Sequence, residues 1–235
     1  MKNETVYEQI GVAMTCRSYQ EYARMFALRR TALRKGPVLD VAAGASSFAA
    51  EARRQGADVY SADPLYALAP DEIAERGRRE IAESTEKLSR LAGKYDWSFY
   101  GNPERHRAMR ERALLAFVDD YAASRDRYVP AALPSLPFAD CSFSLVLCSH
   151  FLFLYAEQFD YEFHAAALDE LYRVCAPGGE VRVYPLVSLR FEPYPELGRL
   201  IDRMAGRGAR CATMPTRLKF IPGSTHLLCI RKPDV

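Results

Sequence analysis

The chain has 235 residues, 49% of them apolar and 26% charged, with 13 glycines, 14 prolines and a formal net charge of +2. These values exclude a disordered or fibrous chain, and the length suits one domain, 1–235, large enough to bury a full core. No apolar run approaches the roughly 18 residues of a membrane span, so no membrane partner is expected. The opening MKNETVYEQIG lacks the apolar stretch of a secretory signal. Cys16, Cys141, Cys148, Cys175, Cys211 and Cys229 are scattered without a CxxC pair, which argues against a zinc site or a disulfide scaffold. Reduced thiols in a cytoplasmic protein, and no metal, are the expectation. Arginine outnumbers lysine 26 to 6, yet 30 acids nearly balance them, so global charge gives no reason to expect nucleic acid.

Ser18 and Glu21 form a capping-box pattern, and Tyr22, Met25, Phe26 and Leu33 follow at helical spacing until Gly36 and Pro37 stop the helix. This N-terminal stretch, 1–36, reads as a helical lid. Residues 38–41 are a short apolar run containing Asp40, read as a buried strand. A helix is predicted over 46–55, capped by Gly56, then a second strand over 58–62 that ends at Asp63 and Pro64. From 70 to 127 the pattern turns helical and charged, with Leu114, Phe117, Val118 and Tyr121 as a buried stripe. That length exceeds an ordinary crossover, so it reads as a helical insertion broken near 97–103. Strands are predicted over 128–129 and 143–148. A helix carrying Phe163, Leu168, Leu171 and Val174 then ends at Pro177, Gly178 and Gly179. Strands over 180–184, 210–214 and 226–230 follow, the last two as a hairpin-like pair. The class is α/β: a seven-stranded, mostly parallel sheet with helices on both faces and a helical insertion after the second strand.

Open sheets of this kind bind ligands at the carboxyl ends of their strands. Three points lie there: Asp40 with the turn Ala42, Gly44, Ser46 and Ser47; Asp63, 19 residues after Gly44; and Cys148, Ser149 and His150. A turn of small residues lets backbone approach a ligand, and an acid ending the second strand can accept hydrogen bonds from ribose hydroxyls. The segments VLDVAAGASSF from Val38, YSAD ending at Asp63, LPFADCSFSLVL from Leu136 and LDELYRVCAPGGE from Leu168 stand in order. Together they resemble the motifs of class I S-adenosylmethionine-dependent methyltransferases of Rossmann-like fold, over about Val38 to Lys232.

The resemblance implies S-adenosylmethionine as cofactor. It implies that Asp40 helps hold the first turn and that Ala42, Gly44, Ser46 and Ser47 face the methionine end. Asp63 and Pro64 would lie at the ribose, Leu65, Ala132 and Leu133 at adenine, and Ser149 beside the cofactor. Ala42 and Ser46 stand where the family usually has glycines, and Ala132 where an acid often meets the adenine amine. Asp40 as a capping carboxylate and Asp63 as a turn residue are the plainer alternatives. His150 is the candidate general base, its ordinary pKa of about 6.5 suiting that task, or else a packing residue.

Cys148 reads as core. Tyr19, Tyr22 and Arg17 either close over the cofactor, with Arg17 meeting its carboxylate, or pack as an ordinary helix. Phe151 to Tyr155 and Trp97, Phe99 and Tyr100 line an acceptor pocket or belong to the core. Arg105, Arg107, Arg110 and Arg112 form a solvated helix face or meet an anionic substrate or RNA. The leading expectation is methyl transfer to a small-molecule acceptor. RNA or protein methylation and a non-catalytic S-adenosylmethionine-binding module are the alternatives. A nicotinamide oxidoreductase is opposed by the single glycine where GxGxxG needs three.

Overall fold

The computed structural model describes Gln9 and residues 11–234. Five parallel strands, β1 (Val38–Val41), β2 (Val59–Ala62), β3 (Tyr128–Val129), β4 (Phe143–Ser149) and β5 (Cys175–Tyr184), form most of one sheet. An antiparallel pair completes it: β6 (Arg210–Pro215) is the edge, and β7 (His226–Arg231) lies between β6 and β5. The spatial order is β3-β2-β1-β4-β5-β7-β6. All four β1 residues are buried, because a parallel strand covered on both faces has no solvated side. Alternation decides which face each side chain serves. Leu39, Val41, Val146 and Val181 pack against α5 (Tyr161–Val174) and α6 (Leu197–Gly206), whereas Val38, Leu145, Leu147 and Leu227 pack against α1 (Tyr19–Met25) and α2 (Phe48–Arg54). The strand order reverses between β1 and β4, which opens a crevice at their carboxyl ends.

Two boundaries differ from the sequence reading. The helix predicted to run from Ser18 to Leu33 stops at Met25, and Leu33 sits in a separate 3₁₀ turn. Ala27 adopts φ 49°, and the Leu28 N–H donates to the Ala23 carbonyl at 2.9 Å. This is the left-handed stop usually made by glycine. The helix expected to reach Pro177 ends at Val174, and Gly178 and Gly179 lie within β5. Part of the expected lid, residues 1–8 and 10, lies outside the described residues.

The insertion is a helical hairpin of α3 (Pro70–Arg90) and α4 (Pro103–Ala123). Asn102 caps α4 by accepting from the Arg105 N–H at 2.8 Å, with Pro103 in the first turn. Ile73, Gly77, Ile81 and Leu88 form the buried stripe of α3. A Cβ on Gly77 would come within 2.6 Å of Leu114 Cδ1, so glycine is what lets the two helices close. At its far end α4 joins Phe117 and Tyr121 to Tyr66 and Tyr128, with ring centroids 5.1–6.0 Å apart. The Tyr121 hydroxyl also donates to the Tyr66 carbonyl at 2.7 Å. Tyr128 belongs to β3, so the insertion shares its core with the sheet edge. We infer that hairpin and sheet unfold together. Phe117→Ala is expected to lower stability by about 3–5 kcal/mol in a single denaturant transition; two separate transitions would contradict the shared core.

Candidate functional site

The turn after β1 is built to be bare. Ala42 and Gly44 both take left-handed backbone, at φ 53° and 57°, and Ala42 accepts strain that glycine would avoid. Gly44 donates its N–H to Asp63 Oδ2 at 2.9 Å, and the Leu65 N–H donates to Oδ1 at 2.9 Å. Asp63 therefore locks the ends of β1 and β2 together. Burial raises its pKa, while those two N–H groups and the nearby Arg76 oppose the rise. A Cβ on Gly44 would lie 2.9 Å from the Thr15 carbonyl oxygen, so residues 11–17 run as a strap directly over the turn.

Ser46 and Ser47 hold that strap. Ser46 Oγ donates to the Arg17 carbonyl at 2.9 Å and accepts from the Phe48 N–H at 3.1 Å. The Ser47 N–H donates to the same carbonyl at 2.9 Å, and its hydroxyl donates to Glu51. The residue at the second replaced glycine thus has a structural task. Asp40 is fully buried beneath the turn, and among the described residues neither of its oxygens has a partner at hydrogen-bond geometry. Burial pushes its pKa well up; the facing Tyr22 hydroxyl opposes this and Asp63 adds to it.

Two cavities occupy the crevice. The larger, about 420 Å³, is lined by Ala42, Gly44, Asp63, Pro64, Leu65, Ala132, Leu133, Ser149 and His150, together with Arg76, Leu68 and the strap. Nine of the twelve predicted site residues meet there; Asp40, Ser46 and Ser47 stand behind the turn and line neither cavity. The smaller, about 100 Å³, lies among Ile81, Leu154, Tyr155, Phe191 and Phe220, with Arg17, Glu80, His106 and Arg110 in its wall. The two share Ala13, Met14, Thr15 and His150.

His150 sits at φ 52° just past β4, its N–H donating to the Tyr184 carbonyl at 2.7 Å. Ser149 Oγ lies 2.9 Å from Nδ1, so the ring nitrogen left for chemistry is Nε2. Beside it lies a buried ionic cluster. Arg110 pairs with Glu21 at 2.6 Å and donates to the Cys16 carbonyl at 2.8 Å. The Tyr100 hydroxyl donates to Glu21 at 2.5 Å, and Arg17 reaches Glu21 at 3.4 Å. Burial alone would raise Glu21, but Arg110 and Arg17 hold it down at about 2.

The other candidates divide. Tyr19 and Tyr22 stack on Phe48, at 5.9 and 4.5 Å, which is helix packing. Phe151 lines the larger cavity and Leu154 and Tyr155 the smaller, while Trp97, Phe99 and Tyr100 line neither. Cys148 is buried in β4, its thiol pushed up to about 12 by burial. Of the arginines on α4, Arg105, Arg107 and Arg112 are exposed but Arg110 is not, which corrects the expectation of one uniform face. Arg76, Glu80 and the inward Arg110 escaped the sequence reading, and residues 11–17 of the expected helical lid form an extended strap rather than a helix. Among the described residues no helix is long and apolar enough to cross a membrane, and no three His, Cys, Asp or Glu residues cluster as metal ligands.

A profile of the methyltransferase domain matches residues 104–183. Over 217 residues the chain is 32% identical to uncharacterized protein MJ0045 of Methanocaldococcus jannaschii, covering 92% of this chain and 94% of that one. The chain and this Methanocaldococcus protein belong to one family, and the matched stretch of the chain is that of a methyltransferase domain. Among solved structures this family member is similar to an O-methyltransferase family protein from Burkholderia thailandensis, at 12% identity and a TM-score of 0.50. That match covers 92% of this chain but 56% of the other, and it carries the fold alone. A second similarity is to a 1,6-didemethyltoxoflavin-N1-methyltransferase from the same organism, solved with S-adenosylhomocysteine. There the identity is 18%, the coverage 91% and 81%, and the TM-score 0.47.

His106 and His150 are both held neutral. Burial foremost, then Arg110, pushes His106 down to about 2, and burial with Arg17 and Arg110 pushes His150 well below its ordinary range. An unfolded histidine gains a proton below about 6.5 while the folded one does not. Each therefore contributes stability at pH 7 that is lost as pH falls, at about 1.4 kcal/mol per unit. Asp40 has the opposite sign, so the check is a difference. The stability of His150→Asn relative to wild type is expected to improve by about 1.4 kcal/mol between about pH 6 and pH 5. A difference that does not change with pH would show that His150 is not held neutral.

Proposed function

We propose that the protein transfers a methyl group from S-adenosylmethionine to a small-molecule acceptor, with the cofactor in the larger cavity and the acceptor in the smaller one. The observation that carries this reading is that, among the described residues, the two cavities share only His150 and the strap residues Ala13, Met14 and Thr15. The residues suit the cofactor. The bare backbone of Ala42 and Gly44 lets its methionine end approach, and Asp63 keeps lone pairs for ribose hydroxyls beyond its two N–H donors. Leu65, Ala132 and Leu133 offer apolar contact to adenine, with Pro64 and Ser149 completing the wall. Ser46 and Ser47 act from behind by fixing the strap, and Asp40 lies buried beneath the turn.

When bound, S-adenosylmethionine supplies a methyl group on a sulfonium. The chain's own contribution is alignment and dryness. Holding two reactants in line contributes on the order of 7–11 kcal/mol when the geometry is right. The strap and the aromatic wall enclose the junction where His150 is buried, and neutral His150 is placed to accept a proton at Nε2. A small acceptor is favoured over RNA by the fate of the basic residues on α4. Arg110 is buried and Arg107 pairs with Glu111 at 2.8 Å, so no continuous basic stripe remains there.

Thermal-shift titration with S-adenosylmethionine, S-adenosylhomocysteine, NAD and NADP tests the cofactor. The two adenosyl ligands, at about 100 times their Kd, are expected to raise the Tm by about 5–10 °C and the nicotinamides not at all. Asp63→Ala is expected to weaken adenosyl binding by about 1–3 kcal/mol. A shift with nicotinamides only, or full affinity in Asp63→Ala, would overturn the assignment.

A further inference from the structure

The smaller cavity carries more polar capacity than an apolar acceptor would use. Glu21 is matched against two guanidinium groups, Arg17 and Arg110, so the cluster holds one positive charge in excess inside the fold. Glu80, the acid in the cavity wall, has Arg76 and Lys87 as its cationic neighbours and does not neutralise that excess. Two buried donors in the wall residues have no hydrogen-bond partner among the described residues. One is Arg17 Nε. The other is His106 Nδ1. Nε2 of His106 lies 3.1 Å from Arg110 Nη2, and because a guanidinium only donates, Nε2 accepts and the proton sits on Nδ1. Unpartnered buried donors beside an uncompensated positive charge are costly in a resting protein and favourable once an anion arrives. Arg17 and His106 line the smaller cavity and not the larger, which separates this charge from the proposed cofactor site. The rest of the wall is aliphatic and aromatic, including Ile81, Leu154, Phe191 and Phe220.

Resting on the methyl-transfer reading, we propose that the acceptor is a small organic acid with an apolar or aromatic body, whose carboxylate is received by Arg17 and His106. The single excess charge suits a monoanion better than a phosphate, and the small volume suits a compact body. Such an anion also offsets the two arginines that depress the basicity of His150, so the acceptor's own charge favours proton uptake at the junction.

The test uses full-length protein saturated with S-adenosylhomocysteine and titrated calorimetrically with benzoate and hexanoate, each against its neutral amide. At least one acid is expected to bind about tenfold more tightly than its amide. Arg17→Met is expected to erase that preference while leaving S-adenosylhomocysteine affinity within about twofold, and Arg17→Lys to keep part of it. Equal binding of acids and amides, or binding of none of the four, overturns the proposal. It is also overturned if Arg17→Met loses S-adenosylhomocysteine affinity but keeps the acid preference, since the guanidinium then serves the cofactor's carboxylate. The comparison on wild-type protein stands even if Arg17→Met fails to fold. A wild type that ignores S-adenosylhomocysteine yet prefers the acids refutes methyl transfer and leaves the acid site standing.

Discussion

The ion pair between Arg110 and Glu21 is the contact on which the architecture of the crevice depends. Glu21 is fully buried on α1, and Arg110 comes from α4 in the insertion. Through Arg110 the pair also grips the Cys16 carbonyl, and through Tyr100 it anchors the break between α3 and α4. Arg110 from α4, Tyr100 from the break and Arg17 from the strap thus converge on one carboxylate of α1. A buried pair of this kind adds little net stability over apolar packing, but removing one partner costs about 3–5 kcal/mol because the other charge is stranded. Its effect is therefore geometric. It holds the strap down on Gly44, and the strap is what divides one long crevice into two chambers.

That division connects the fold to its chemistry. The reversal of strand order between β1 and β4 opens the crevice, and Asp63 fastens its floor by taking N–H groups from Gly44 and Leu65. The ionic cluster supplies a positive corner on one side of His150, while the other side is the bare turn and the adenine wall. Enclosure by protein rather than water strengthens each of these charges. The same enclosure keeps His150 and His106 unprotonated in the resting state.

The central sheet was legible because strands covered on both faces are nearly continuously apolar, as residues 38–41 and 143–148 are apart from Asp40 and Ser144. The small-residue turn and Asp63 were legible because their spacing follows from a strand, a turn, a helix and a second strand. The early stop of α1 was hidden because Ala27, and not a glycine, takes the left-handed position. Arg110 was hidden for a different reason. Helical periodicity marks its face, but four arginines in one short stretch look alike until the partner, 89 residues away in sequence, is known. Ser46 reads as a lost glycine in sequence and proves to be the hydroxyl that ties down the strap. For the smaller cavity the sequence signalled His150 and the cluster that includes Leu154 and Tyr155, while the rest of its wall is gathered from α3, α4, the strap and the loops around Phe191 and Phe220.

A crystal structure of the protein grown with S-adenosylhomocysteine is the most direct test of the two-chamber account. The ligand is expected in the larger cavity, its ribose hydroxyls on Asp63, its adenine between Leu65 and Leu133, and its sulfur directed toward His150. Ligand filling the smaller cavity instead, or ribose hydroxyls that do not reach Asp63, would contradict it.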